Sequence, residues 1–184
     1  MSGSAWTGDG GSFAEPERAE PGRWPALEAA LAVVNRDVRA TLPGQGPLIL
    51  MAAPAPDGFD GEQVYVAMAD GRWHGNPVHS DDLEEGAPPE PGEAGVLRVV
   101  AEAAQETVVE LLWRVWPLCR EHGTGMHPRP AGTSEDWYPG ESGTAGPPVW
   151  WCRGGRGGGC HDASPIGELA GPCGGTAAGG VPGP

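Results

Sequence analysis

Apolar positions recur with two different periods along the chain. Leu27, Leu31, Val34 and Val38 follow one another at i, i+4, i+7 and i+11, which places them on one face of a helix. Pro25 suits the first turn of that helix, and Leu42-Pro43-Gly44 closes it after about Thr41. PLILMAA (47–53) then reads as a strand and PAPDGFDG (54–61) as a loop. EQVYVAMA (62–69) reads as a second strand with Val64, Val66 and Met68 on one face. Asp70-Gly71 is a hairpin signal, so RWHGNPV (72–78) is expected to return as a third strand. SDDLEEGAPPEPGE (80–93) is an acidic, proline-rich connection. Beyond it Val96, Val99, Val100, Ala103, Thr107, Val108, Leu111 and Val115 predict an amphipathic helix over 94–115 whose apolar face covers the sheet. Glu102, Glu106 and Glu110 stack on the opposite face of that helix, where like charges repel by roughly a few tenths of a kcal/mol, and a solvated ridge is expected.

The pattern implies an α+β chain in which residues 24–115 fold as two helices packed on a small three-stranded antiparallel sheet. A separate module follows at 116–170. Residues 1–23 and 171–184 are made mostly of Gly, Ser, Pro and acid, or of small residues alone, and are expected to be disordered. The 184 residues contain 32 Gly and 21 Pro, a share that fits unfolded segments at the ends and few large aliphatic side chains between them. With so thin a core, tryptophan must supply much of the buried area, and a metal crosslink would help.

Charge narrows the partners. The net charge is −14, and ten of those charges fall within 24–115. Such a surface repels phosphate backbones and anionic lipid, so nucleic-acid and membrane binding are disfavoured. No basic segment precedes an apolar one at the N-terminus, and no apolar run reaches membrane-spanning length, so the expected location is the cytoplasm. In a reducing compartment four cysteines point to metal ligation or plain thiols before disulfides.

The chemistry sits in the second half. Trp116-Pro117-Leu118-Cys119-Arg120-Glu121-His122-Gly123 carries a C-x-x-H pair closed by glycine. Two intervening residues let a tight turn aim both side chains at one ion, and Gly123 can take the positive φ that such a turn needs. A second group follows, with Val149-Trp150-Trp151-Cys152 as a short aromatic strand, a run of Gly and Arg, and then Cys160-His161-Asp162.

The arrangement resembles the zinc-ribbon family, in which two knuckles on hairpins clamp a tetrahedral zinc ion. It departs from that pattern in the second knuckle, where seven residues separate Cys152 from Cys160. Cys160 and His161 compete for the fourth position, and His161 is preferred. Cys119, His122, Cys152 and His161 would make a neutral Cys2His2 site for Zn2+, with Asp162 as an acceptor behind it. His127 is a weaker candidate. The module is also similar to the end of a group of small, uncharacterised proteins from GC-rich bacteria that finish in W-P-x-C-x-x-H-G, W-x-C and I-G-E-L, matched here at 116–123, 150–152 and 166–169. That similarity implies a shared architecture and carries no activity with it.

Enzymatic patterns are sparse. Zinc deaminases need H-x-E before P-C-x-x-C, whereas His74-Gly75-Asn76 has Asn in place of Glu and Pro117 precedes Leu118. A Cys119 nucleophile served by His74 or His79 has only single loop histidines to support it. Arg153 and Arg156 in their glycine run are too few to hold RNA within an acidic chain. The expected function is therefore a non-enzymatic protein-binding or regulatory module, with a structural zinc ion and a basic or polar protein partner. The alternative is a small zinc hydrolase or transferase in which three ligands leave an open metal position and Glu121 acts as base.

Overall fold

Pro25 opens α1 (Pro25–Thr41), and Leu27, Ala30, Leu31, Val34 and Val38 form its buried face. The computed structural model describes residues 15–55, 61–75, 77–78, 92–138, 146–156 and 158–171. Around α1 are β1 (Glu17–Arg18), β2 (Ile49–Pro54), β3 (Glu62–Ala67), α2 (Glu93–Leu112), β4 (Met126–Pro130), β5 (Pro148–Cys152) and β6 (His161–Pro165). The described residues thus form two helices and two three-stranded antiparallel sheets, an α+β architecture, with strand orders β1-β2-β3 and β4-β5-β6. Among them no helix is long and apolar enough to cross a membrane.

The third strand of the first sheet is not the expected 72–78. After β3 the chain turns through Asp70-Gly71 as the pattern predicts, with the Met68 amide donating to Arg72 O at 2.7 Å, but only the single bridge Ala67↔Trp73 continues the ladder. Gly75 has φ +98 and Pro77 has no amide hydrogen, so no regular ladder forms, and the segment returns to β3 only where the Val78 amide donates to Val64 O at 2.5 Å. The vacant edge of β2 is taken by β1, with Glu17 opposite Ala52 and Arg18 opposite Met51, and the Ala19 amide adds a bond to Leu50 O at 3.0 Å. Disorder throughout 1–23 is therefore corrected from Glu15 onward. Backbone pairing, which asks little of side chains, anchors residues 17–19, and an Arg23–Glu62 ion pair at 2.5 Å fastens the turn after them. Residues 1–14, 172–184 and the connection at 79–91 lie outside the described residues.

Alternation along β2 and β3 sends Leu50, Val64 and Val66 to the helices, while Met51, Ala53, Tyr65 and Ala67 form a smaller cluster on the other face. Asn35 of α1 clamps the approach to β2, accepting from the Leu48 amide at 2.7 Å and donating to its carbonyl at 3.0 Å. Helix α2 stops three residues short of the expected end, because Trp113 adopts a left-handed φ of 51. Val115 is left 57% exposed rather than on the buried face. Its core-facing residues are Val100, Ala101, Ala104 and Val108, with Thr107 Oγ1 lying 2.9 Å from Val66 O and 3.0 Å from His74 O.

The segments 24–115 and 116–170 share one core. A single buried cluster runs from Val34 and Val100 to Trp116, Cys119, Trp150, Cys152 and Ile166. Among the described residues the buried aromatics are Trp116, Trp150 and Trp151 together with Tyr65, and Trp116 meets Trp150 edge-on with ring centres 5.4 Å apart. Polar ties reinforce the joint. Trp116 Nε1 donates to Thr41 Oγ1 at 2.8 Å, and Gln105 Nε2 donates to the carbonyl oxygens of Trp116 and Met126.

Candidate metal centre

Both halves of the site are built from hairpin ends. The Leu118↔Gly125 bridge closes a turn over 119–124, in which the Gly123 amide donates to Cys119 O at 2.8 Å and Gly123 takes φ +66. That turn runs directly into β4. In the second sheet Cys152 is the last residue of β5 and His161 the first of β6, and they are register partners. Eight residues separate Cys152 from His161, and those of them that are described lie outside the ladder. Their number does not matter to the ligand geometry, because strand pairing alone puts Cys152 opposite His161. Met126 of β4 pairs with Cys152 on its other side, which brings the first turn against the same strand end.

Cys119, His122, Cys152 and His161 converge there, their donor atoms all within 4.8 Å of one another, close enough to hold one metal ion. Cys119 Sγ lies 3.6 Å from His122 Nδ1 and 3.7 Å from His161 Nε2, and Cys152 Sγ lies 3.6 Å from His122 Nδ1. Both cysteines are buried, and the two imidazoles close the site from the solvent side with ring centres 5.1 Å apart. Burial pushes the Cys119 thiol above its ordinary range and the Cys152 sulfur beside it adds to the shift, while the amides of His122 and Glu121 donate to the sulfur and oppose it.

The backbone supports both sulfurs in the same way. Glu121, two residues after Cys119, offers its amide to that sulfur, and Gly154, two residues after Cys152, donates its amide to Cys152 Sγ at 3.3 Å. Thr124 Oγ1 is also 3.3 Å from Cys152 Sγ. Thr124 and Gly154 were not among the residues the sequence pointed to, although Gly154 repeats the offset of Glu121 and could have been found from it. The glycine run has a steric role as well. A Cβ built on Gly158 would stand 2.6 Å from His122 Nε2, and one on Gly155 would stand 3.5 Å from His122 Cδ2. At Gly158 the loop thus passes so close to the imidazole that a Cβ would force one of them to shift, whereas at Gly155 the contact is an ordinary one.

The remaining candidates are placed elsewhere. Cys160 is exposed and outside the converging group. His127 lies in β4, exposed, on the side that faces α2. His74 is exposed, and its described role is a backbone one, through its carbonyl beside Thr107. His79 and Cys173 lie outside the described residues. Asp162 does not stand behind a ligand: its Oδ2 accepts from the Gly132 amide at 2.8 Å and holds the loop after β4. Glu121 is 72% exposed, with one carboxylate oxygen 3.8 Å from His122 Nε2 and the other 3.8 Å from His161 Nε2, beyond hydrogen-bonding distance of both.

A buried carboxylate that sequence reasoning passed over fixes this module to the rest of the chain. Asp37 of α1 is wholly buried, and Oδ2 accepts from Trp150 Nε1 and from the Gly167 amide, each at 2.7 Å. Oδ1 accepts from the Leu169 amide at 2.8 Å. The I-G-E-L segment is therefore a docking turn. Gly167 has φ +93, and a Cβ there would come within 2.4 Å of Val33 Cγ1.

No protein-family model, curated protein or solved structure matches the chain.

Proposed function

We propose that this chain is a zinc-binding protein of non-enzymatic, partner-binding type, in which one structural Zn2+ is held by Cys119, His122, Cys152 and His161. The observation that carries the reading is the set of sulfur–nitrogen separations. Tetrahedral zinc with bonds of about 2.3 Å to sulfur and about 2.0–2.1 Å to nitrogen requires S···N edges of roughly 3.5–3.6 Å. Three of these edges in the structure are 3.6, 3.6 and 3.7 Å. Two thiolates and two neutral imidazoles balance the ion's charge, and N–H donors on each sulfur are the support expected behind such ligands. Two turns at one end of a three-stranded antiparallel sheet also support the likeness to zinc ribbons. The acidic surface, with a net charge of −14, favours a basic protein partner over nucleic acid or anionic lipid.

The test is metal analysis joined to X-ray absorption. The purified chain is expected to hold about one zinc per molecule, with two sulfur and two nitrogen neighbours. A metal-free folded protein, or a shell of oxygen ligands, would overturn the reading.

A second reading draws on the Glu121 carboxylate beside both histidines and on a cavity of about 340 Å³ that reaches Cys119, His161 and Glu168. Were His161 to leave the metal, water could take its place with Glu121 as base. Cobalt substitution separates the two. A four-coordinate cobalt spectrum unchanged by added azide favours the structural ion, and a spectrum shifted by azide favours the open site.

A further inference from the structure

The face of α2 expected to be a plain solvated ridge is one wall of a groove. A cavity of about 620 Å³ runs between this helix and the chain at 77–78, 115–116 and 125–127. Val99, Ala103, Val109 and Val115 give it an apolar lining, while Glu102, Glu106 and Glu110 lie along it one helical turn apart. Among the described residues no arginine lines it, and the chain contains no lysine. Of the three carboxylates, Glu102 meets Arg98 at 3.4 Å, and Glu106 packs against Gly75. Past Glu110 the helix ends in Trp113, which holds a left-handed φ of 51 and leaves its side chain in solvent at 90% exposure. A strained, exposed tryptophan two residues before the groove-lining Val115 is a costly arrangement for a surface with no partner.

We infer that this groove binds a basic amphipathic helix of a partner protein, with its arginines or lysines on Glu102, Glu106 and Glu110 and its apolar face on the valines. The inference rests on the partner-binding reading above and names its surface. Charge complementarity selects the occupant. Apolar burial would hold the helix, and the three carboxylates, spaced by single turns, match cations spaced four residues apart on a facing helix. The segment at 79–91, which joins Val78 to α2, is acidic and has the wrong sign to fill the groove. A second copy of this chain is acidic too.

The experiment uses the full zinc-loaded chain and a fluorescent peptide of about four helical turns, with leucines along one face and arginines four apart beside them. The triple variant Glu102→Gln, Glu106→Gln, Glu110→Gln is expected to weaken peptide binding by about tenfold or more, and Val109→Asp by a similar factor. A variant of equal charge change elsewhere, Glu15→Gln, Glu17→Gln, Glu20→Gln, is expected to bind within about twofold of the parent. Equal weakening by both triple variants would mean that net charge alone attracts the peptide, and would overturn the groove. So would undiminished binding when the peptide's arginines are replaced by glutamine, or peptide binding that appears only after deletion of 79–91. Self-association of the parent chain that Val109→Asp abolishes, with no peptide bound, would give the groove to a second copy instead. Zinc content is read on every variant, so loss of the metal site and failure of the groove are separate results.

Discussion

Trp150 and Asp37 stand 113 residues apart in the chain, yet the indole nitrogen of one donates to the carboxylate of the other at 2.7 Å in a buried setting. The same carboxylate takes the amides of Gly167 and Leu169, so three donors from the metal-bearing half converge on one side chain of α1. A carboxylate has acceptor capacity for all three. The contact lies between the two halves and fixes the orientation of β5, the strand that ends in Cys152.

Removing that acceptor is therefore expected to cost more than a typical surface change. Asp37→Ala leaves Trp150 Nε1–H and two amides unpaired, at roughly 1–3 kcal/mol for each buried donor without a partner. The predicted loss is on the order of 3–5 kcal/mol in unfolding free energy, measured by urea denaturation of the zinc-saturated protein. A loss under about 1 kcal/mol would show that the three bonds hold nothing together.

The same residue sets a pH dependence. Burial raises the Asp37 carboxyl above its ordinary 3.8, a rise that its three hydrogen bonds oppose and the Glu168 charge aids. The folded protein then binds a proton that the unfolded chain releases, so this contribution to stability is full below about pH 4 and declines as pH rises through the elevated folded value. Asp37→Asn cannot titrate there. The stability of the parent relative to Asp37→Asn should thus fall as pH rises from about 4, with metal-ligand protonation cancelling between the two proteins. A difference that grows with pH would mean that the three donors outweigh burial.

Helix α1 was legible in full because its period is local: Leu27, Leu31, Val34 and Val38 declare one face within three turns. The convergence of Cys119 with His122 was legible for a similar reason, as a two-residue gap and a trailing glycine describe one turn. The partner of β2 was not. Two exposed residues, Glu17 and Arg18, pair through backbone alone and leave no side-chain period to read. Asp37 was invisible from its own surroundings, since an acid at position 37 of a polar-edged helix looks solvated until Trp150 and the 166–169 turn arrive from the far end of the chain. The end of α2 was missed as well, because Trp113 takes a conformation that glycine usually marks.

Separating the cysteines by substitution checks the ligand set. Cys152→Ser removes one of the two buried sulfurs and should abolish stoichiometric zinc, with loss of the ordered structure around 116–169. Cys160→Ser, at an exposed position outside the converging group, should keep about one zinc and the parent's stability. Metal content by mass spectrometry decides between them. Zinc lost from Cys160→Ser and retained in Cys152→Ser would put Cys160 in place of Cys152 among the ligands.

Gly158 offers a test that leaves every ligand in place. Its absent Cβ would fall 2.6 Å from His122 Nε2 and 3.1 Å from His122 Cδ2, so Gly158→Ala must push the imidazole or lift the loop. His122 Nδ1 is 3.6 Å from both sulfurs, and a displacement of a few tenths of an ångström changes both edges of the tetrahedron at once. Disturbing the support of a ligand weakens metal binding by about 10–100-fold. Gly159→Ala is the matched control, because a Cβ there meets nothing within 4 Å. Competition with a chelator should show Gly158→Ala releasing zinc at least about tenfold more readily than the parent, and Gly159→Ala releasing it like the parent. Identical behaviour of the two alanine variants would mean that the loop yields freely and that the glycine run does not position His122.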